Sequence, residues 1–153
     1  MVDDGLTFNL SHTRSVALLA VSKNQKVGVD VEPCNRSINA ETISKRFFTA
    51  KEHHHLQCLS GLERQQAFFR LWVMKEAFVK AVGCGLSGSL AAFEVDESEG
   101  NLKIRPIDSR WGNLSGWFLH QWCLDDLYFG AVVSSKMPDS ISYFDYIRPR
   151  INH

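Results

Sequence analysis

The order in which two periodicities follow one another predicts an α+β domain: a largely antiparallel sheet with helices packed on one of its faces. Period-two patterns rich in branched residues occupy residues 6–32. A helical repeat of apolar side chains fills 39–82, and period-two patterns return over 92–134. At 153 residues with 44% hydrophobic side chains, the chain can bury a core without disulfide staples. It reads as a single domain over 1–135 followed by a tail, 136–153, with no readable pattern.

Residues 6–10 alternate and then meet Ser11-His12-Thr13, read as a polar turn before a second strand over 15–21. The polar stretch Lys23-Asn24-Gln25-Lys26 leads at once into Val27-Gly28-Val29-Asp30-Val31-Glu32. This predicts an antiparallel hairpin between the second and third strands. Pro33 ends the third strand by removing a backbone donor. Over 39–48, Ile43, Phe47 and Phe48 mark a helix. Thr49 with Glu52 three residues on is a capping box for the next. Ser60-Gly61 predicts a break, and a long helix follows over 63–82, with Ala67, Phe68, Leu71, Trp72, Phe78, Val79 and Val82 on an apolar stripe. Gly83-Cys84-Gly85 stops it. Strands are expected at 92–96, 102–104, 116–124 and 128–134, with turns at 96–101 and at Asp125-Asp126.

Lys and Arg together number 17, as do Asp and Glu, so no general field draws the chain to nucleic acid or anionic lipid. An anionic partner must be held locally. Four scattered cysteines form no C-x-x-C pair, which argues against a zinc ribbon or a redox dithiol motif. The start of the chain is acidic, and no apolar run approaches a membrane span. A soluble, cytoplasmic protein is the expectation.

The third strand carries the first chemical signal. Period two places Asp30 and Glu32 on one face, with Cβ atoms about 6.5 Å apart, a spacing that can be shared around a hydrated divalent cation. An isolated D-x-E is more often a solvent-facing pair, but two acids facing one way repel, and a cation would relieve that. In the long helix, Glu76 and Lys80 are four apart in the orientation of a surface ion pair. They share a face with Trp72 in an aromatic-rich helix, where a metal-bound diphosphate would serve both signs. His12 would lie beside this site. His53-His54-His55 with Cys58 lacks a second ligand cluster and reads as a polar helix face rather than zinc.

The set Phe8-Asn9-Leu10-Ser11-His12-Thr13, Val27-Gly28-Val29-Asp30-Val31-Glu32, Lys45-Arg46-Phe47-Phe48 with Glu52, Leu71-Trp72-Val73-Met74-Lys75-Glu76-Ala77-Phe78-Val79-Lys80 and Gly83-Cys84-Gly85-Leu86-Ser87 closely resembles the 4'-phosphopantetheinyl transferases of the surfactin-synthetase-activating type. It resembles only their second half. The resemblance implies Mg²⁺-dependent transfer of the phosphopantetheine arm from coenzyme A to a serine of an acyl or peptidyl carrier protein, releasing 3',5'-adenosine bisphosphate. It implies Asp30, Glu32 and Glu76 as Mg²⁺ ligands and Lys80 as the phosphate-binding lysine, with Lys75 a second basic residue near it. Ser11 and His12 would touch the nucleotide's phosphates. Glu76, or a metal-bound water it orients, is the first choice for the base that takes the serine proton and Glu52 the second; the residues leave that open.

The first half of such enzymes supplies basic residues and one wall of the cleft, and these have no counterparts here. The shorter carrier-protein synthases place the site between subunits, so a homo-oligomer, with a dimer favoured, is the expected assembly. Carrier proteins are acidic, which makes Lys45, Arg46 and Lys51 expected contacts. Two other readings compete: a non-catalytic half-enzyme that binds coenzyme A or a carrier protein, or only associates with itself, and a different Mg²⁺-dependent phosphotransferase or hydrolase.

Overall fold

The computed structural model describes residues 5–85, 90–97 and 102–145. The expected turn at 98–101, the Leu86-Ser87 end of the glycine motif and the tail beyond 145 lie outside the described residues. The chain has an α+β fold in which every strand pairing among the described residues is antiparallel.

The first ribbon pairs β1 (Leu6–His12) with β2 (Ala17–Lys23), Leu6 opposite Lys23 and His12 opposite Ala17. Ser11 and His12, expected in a turn, are the last residues of β1. The turn begins at Thr13, whose N–H donates to the Val16 carbonyl at 2.8 Å while its hydroxyl oxygen accepts from the amides of Ser15 and Val16. Along this ribbon Leu6, Phe8, Leu10, Leu19 and Val21 all stand on one face, each more than half exposed.

The expected hairpin between the second and third strands does not form as a ladder. Strand β3 (Val27–Pro33) pairs instead with β7 (Tyr128–Ser134), which also pairs with β6 (Phe118–Leu124), giving the order β3-β7-β6. Burial explains the exchange. Every residue from Val27 to Val31 is buried, so this strand needs cover on both faces. Its free edge is satisfied by side chains: the Val29 N–H donates to Asn9 Oδ1 at 3.0 Å, and the Val29 carbonyl accepts from Lys80 Nζ at 3.2 Å. The β6–β7 connection is the predicted turn, with Asp125 and Asp126 both at positive φ and Leu124 paired with Tyr128 across three residues.

Three helices follow β3. In α1 (Ala40–Phe47), Asn39 Oδ1 accepts from the Thr42 amide at 3.0 Å. Helix α2 (Ala50–Gln57) opens on the predicted capping box of Thr49 and Glu52. Helix α3 (Gly61–Val82) starts at the predicted break and ends on Gly83 at φ +80°, a conformation that favours glycine. A single apolar stripe was expected on α3. Instead Phe68, Phe69, Val73, Met74, Ala77, Phe78 and Val79 bury most of its circumference, because the β3-β7-β6 sheet lies on one side and the aromatic cluster of Phe93, Trp111 and Trp117 on another. The remaining strands, β4 (Phe93–Asp96) and β5 (Lys103–Pro106), make a short antiparallel ribbon.

One contact fixes how α3 lies on β3. A Cβ on Gly28 would stand 2.1 Å from the Ala77 carbonyl oxygen and 2.4 Å from the Ala81 nitrogen, so only glycine lets strand and helix backbones approach this closely. Gly28→Ala is therefore expected to cost about 1–3 kcal/mol of stability. Urea unfolding would measure it, and an unchanged midpoint would remove Gly28 as the spacer.

Candidate active site

The alternation that puts Gly28 against α3 puts Asp30 and Glu32 on the same face of β3. There they meet the helix side that carries Glu76 and Lys80. Lys80 Nζ donates to Asp30 Oδ1 at 2.7 Å, to Ser11 Oγ at 3.0 Å and to the Val29 carbonyl. Ser11 Oγ donates in turn to Asp30 Oδ1 at 2.8 Å. Lys80 thus bonds across to β3 rather than to Glu76, the i,i+4 partner expected on its own helix. Glu32 reaches Arg36 at 3.4 Å, a partly exposed pair that contributes little.

The carboxylates strain one another electrostatically. Burial, then the charge of Asp30, pushes the Glu76 carboxyl up to about 7, with Lys80 opposing the rise. Burial and Asp30 also raise Glu32. Two acceptors at this spot are buried with no hydrogen-bond partner, Asp30 Oδ2 and Glu76 Oε1. Such orphaned oxygens are costly in a folded interior. Among the described residues, no three His, Cys, Asp or Glu side chains already converge at coordinating distance. A hard divalent cation fits the donor set all the same: all-oxygen ligands, an excess of negative charge, and two lone-pair oxygens without a donor.

The structure brings together Ser11, Asp30, Glu32, Glu76 and Lys80. It does not bring Lys75, Glu52 or His12 to them. Lys75 is fully buried, and its ammonium donates to the carbonyls of Leu90 at 2.7 Å and Phe93 at 2.6 Å, pairs with Glu52 Oε2 at 2.9 Å and stands over the Phe93 ring. Burial lowers its pKa, against the pull of Glu52. The expected place of Lys75 beside Lys80 is corrected accordingly: an ammonium with three buried acceptors is an internal tie. Glu52 is similarly committed, one oxygen accepting from the Val95 amide and the other from the Thr49 amide and Lys75, so the structure places it in that tie. His12 is exposed and points away from Ser11, onto the apolar face of the β1–β2 ribbon, as strand alternation dictates. Asn9 was not anticipated as a site residue. Its place two before Ser11, on the same strand face, was the available signal.

Comparison with known proteins gives the family and the fold. The model of the 4'-phosphopantetheinyl transferase superfamily matches residues 26–134. The chain is 40% identical over 85 residues to the 4'-phosphopantetheinyl transferase HetI of Nostoc sp., covering 56% of this chain and 36% of that protein. It is 32% identical over 142 residues to the 4'-phosphopantetheinyl transferase Sfp of Bacillus subtilis, covering 91% of this chain and 60% of that one. The chain thus spans about half the length of the curated relatives it matches. Its fold is similar to the crystal structure of a holo-(acyl-carrier-protein) synthase from Bacillus anthracis in complex with CoA (3',5'-ADP), with a TM-score of 0.58, 21% identity, and coverage of 71% of this chain and 93% of that one. No described helix is long and apolar enough to cross a membrane.

Proposed function

The chain belongs to the 4'-phosphopantetheinyl transferase superfamily, and from that premise we propose that it transfers the phosphopantetheine arm of coenzyme A to a serine of an acyl or peptidyl carrier protein in the cytoplasm, releasing 3',5'-adenosine bisphosphate. The observation that carries the reading is the pair of orphaned oxygens, Asp30 Oδ2 and Glu76 Oε1, beside the Lys80 ammonium.

Asp30, Glu32 and Glu76 would hold Mg²⁺, which when bound neutralises charge on the diphosphate. Lys80, anchored on Asp30 and Ser11, presents a fixed ammonium where the phosphate oxygens gain charge, and a donor held in place before reaction loses little energy to reorganisation. Glu76 is the base. In the cation-free chain its carboxyl is raised to about 7, a value that a bound cation would lower. Ser11 keeps Asp30 Oδ1 oriented and stands within reach of the same phosphates. Lys45 and Arg46 at the end of α1 would meet an acidic carrier protein. Incubation with coenzyme A, Mg²⁺ and several apo carrier proteins, followed by intact-mass spectrometry of the carrier, tests the reading. No added arm from a folded chain would sink it.

The exposed face of Leu6, Phe8, Leu10, Leu19 and Val21 supports a homo-oligomer, dimer favoured, in which two ribbons pack face to face. A second copy packed there would cover this outer face, and His12, which lies on it, would stand at the interface. Phe8→Asp is expected to convert the assembly to monomer in multi-angle light scattering. A wild-type chain that is already monomeric would overturn the assembly.

The span of about half the relatives' length favours one competing reading, a non-catalytic half that binds coenzyme A or a carrier protein or only self-associates. Calorimetry with coenzyme A, with and without Mg²⁺, distinguishes the two from a chain that binds nothing.

A further inference from the structure

We propose that Asn9 is a positioning residue for the acid cluster: its side chain sets the register of the β1–β2 ribbon against β3 and thereby delivers Ser11 to Asp30. What Ser11 then touches rests on the transferase reading; the placement itself does not.

Strand β1 wears its faces in reverse. Leu6, Phe8 and Leu10 stand outward and are more than half exposed, while Thr7, Asn9 and Ser11 turn inward toward β3. A strand packed for burial alone would show the opposite alternation, and Asn suits a strand interior poorly. Each inward residue has a partner. The Thr7 hydroxyl donates to the Gln25 carbonyl, Asn9 Oδ1 accepts from the Val29 N–H at 3.0 Å, and Ser11 Oγ donates to Asp30 Oδ1 at 2.8 Å. Because the donor to Asn9 is a backbone N–H, the atom that faces it must be the amide oxygen.

This row does what a ladder would otherwise do. The ribbon forms a two-stranded sheet of its own, and among the described residues no ladder joins β1 to β3. Strand register is weakly specified where backbone pairing does not set it, and a slide of two residues, about 6.6 Å, would keep the same faces yet carry Ser11 away from Asp30. Asn9 blocks that slide at the middle of the row. It holds the N–H of Val29 while Lys80 Nζ holds the carbonyl of the same residue at 3.2 Å, so β1 and α3 are indexed to one point on β3. Ser11 and Asp30, each only 6% exposed, meet one residue further on, where Lys80 joins both.

Hydrogen exchange of the folded full chain without coenzyme A, followed by NMR, tests the placement. Asn9→Leu, a similar branched shape without an acceptor, is expected to speed exchange of the Val29 amide about tenfold, the equivalent of one hydrogen bond. The Asp30 amide, on the β7 side of the same strand, keeps its protection. Asn9→Asp, which retains an acceptor, and Ser11→Ala, which leaves Asn9 in place, are both expected to keep Val29 protected. Transfer to an apo carrier protein then reads the consequence. Asn9→Leu is expected to raise the KM for coenzyme A about tenfold with kcat within about twofold, and adding Ser11→Ala is expected to raise it no further, because Asn9 acts through Ser11. Unchanged exchange at Val29 in Asn9→Leu would overturn the inference, as would KM effects of the two substitutions that multiply. Loss of protection at Asp30 as well would make Asn9 a general support of the sheet and overturn it too. A parent chain that neither binds coenzyme A nor transfers would sink the transferase reading instead, and exchange at Val29 would still decide the placement.

Discussion

Asp30→Asn is expected to lower transfer of the phosphopantetheine arm by roughly 10²–10³-fold while leaving the fold at least as stable as before. The two halves of that expectation come from one geometry. Asp30 Oδ1 accepts from both Lys80 and Ser11, and its Oδ2 is buried with no donor. An asparagine keeps an acceptor for Ser11 and Lys80, so the strand edge remains tied to α3. It removes a negative charge from a cluster whose members raise one another's pKa, since Asp30 is a cause of the rise at both Glu32 and Glu76. Stability lost at the Lys80 pair, whose ammonium is partly exposed, is therefore offset by repulsion relieved among the acids. The charge that would help hold a cation and anchor the lysine is lost outright. Intact-mass assays of a carrier protein give the rate, and urea unfolding gives the stability. A variant that transfers at the full rate would remove Asp30 from the site. One that is inactive only because it has unfolded would remove the claim that the acid cluster is held at the expense of stability.

How much of this was readable in advance depends on the distance over which each feature is decided. The shared face of Asp30 and Glu32 was legible because a period of two is a local property of a strand. The capping box of Thr49 and Glu52 was legible for the same reason, and it already assigned one Glu52 oxygen to a backbone amide, which weakens that residue as a base. The separation of Lys75 from Lys80 was also available: five residues along a helix turn about 140° around its axis, so the two ammonium groups leave α3 on different sides. The partner of β3 was not available. Asn24, at φ +59°, reads locally as a hairpin turn, whereas pairing with β7 is settled by burial on both faces of β3 and by contacts a hundred residues away. Lys80 likewise chose Asp30 over Glu76 because the free edge of β3 offers it the Val29 carbonyl as well. No spacing within α3 contains that information.

The pH at which the acid cluster takes a divalent cation follows from Glu76. Its carboxyl is raised to about 7, first by burial and then by Asp30, so at pH 6 the folded chain holds it mostly protonated and at pH 8 mostly ionised. A cation needs the ionised form, and binding must expel the proton. The apparent Mg²⁺ affinity is therefore expected to rise about tenfold between pH 6 and pH 8, with proton release that calorimetry in two buffers of different ionisation enthalpy reads directly. Glu32, also raised, adds to the same direction. The stability of the cation-free chain moves the opposite way. A folded-state pKa above the unfolded value of 4.5 means the native state binds the proton more tightly, so this contribution to stability is present at low pH and is lost as pH climbs from about 4.5 through about 7. Glu76→Gln mimics the protonated form at every pH. It is expected to be more stable than the parent above pH 7, to bind Mg²⁺ weakly, and to lose most of the pH dependence of that binding. A variant that keeps both the parent's Mg²⁺ affinity and its proton release would show that Glu76 is neither the titrating group nor a ligand, and would leave Asp30 and Glu32 to hold any cation alone.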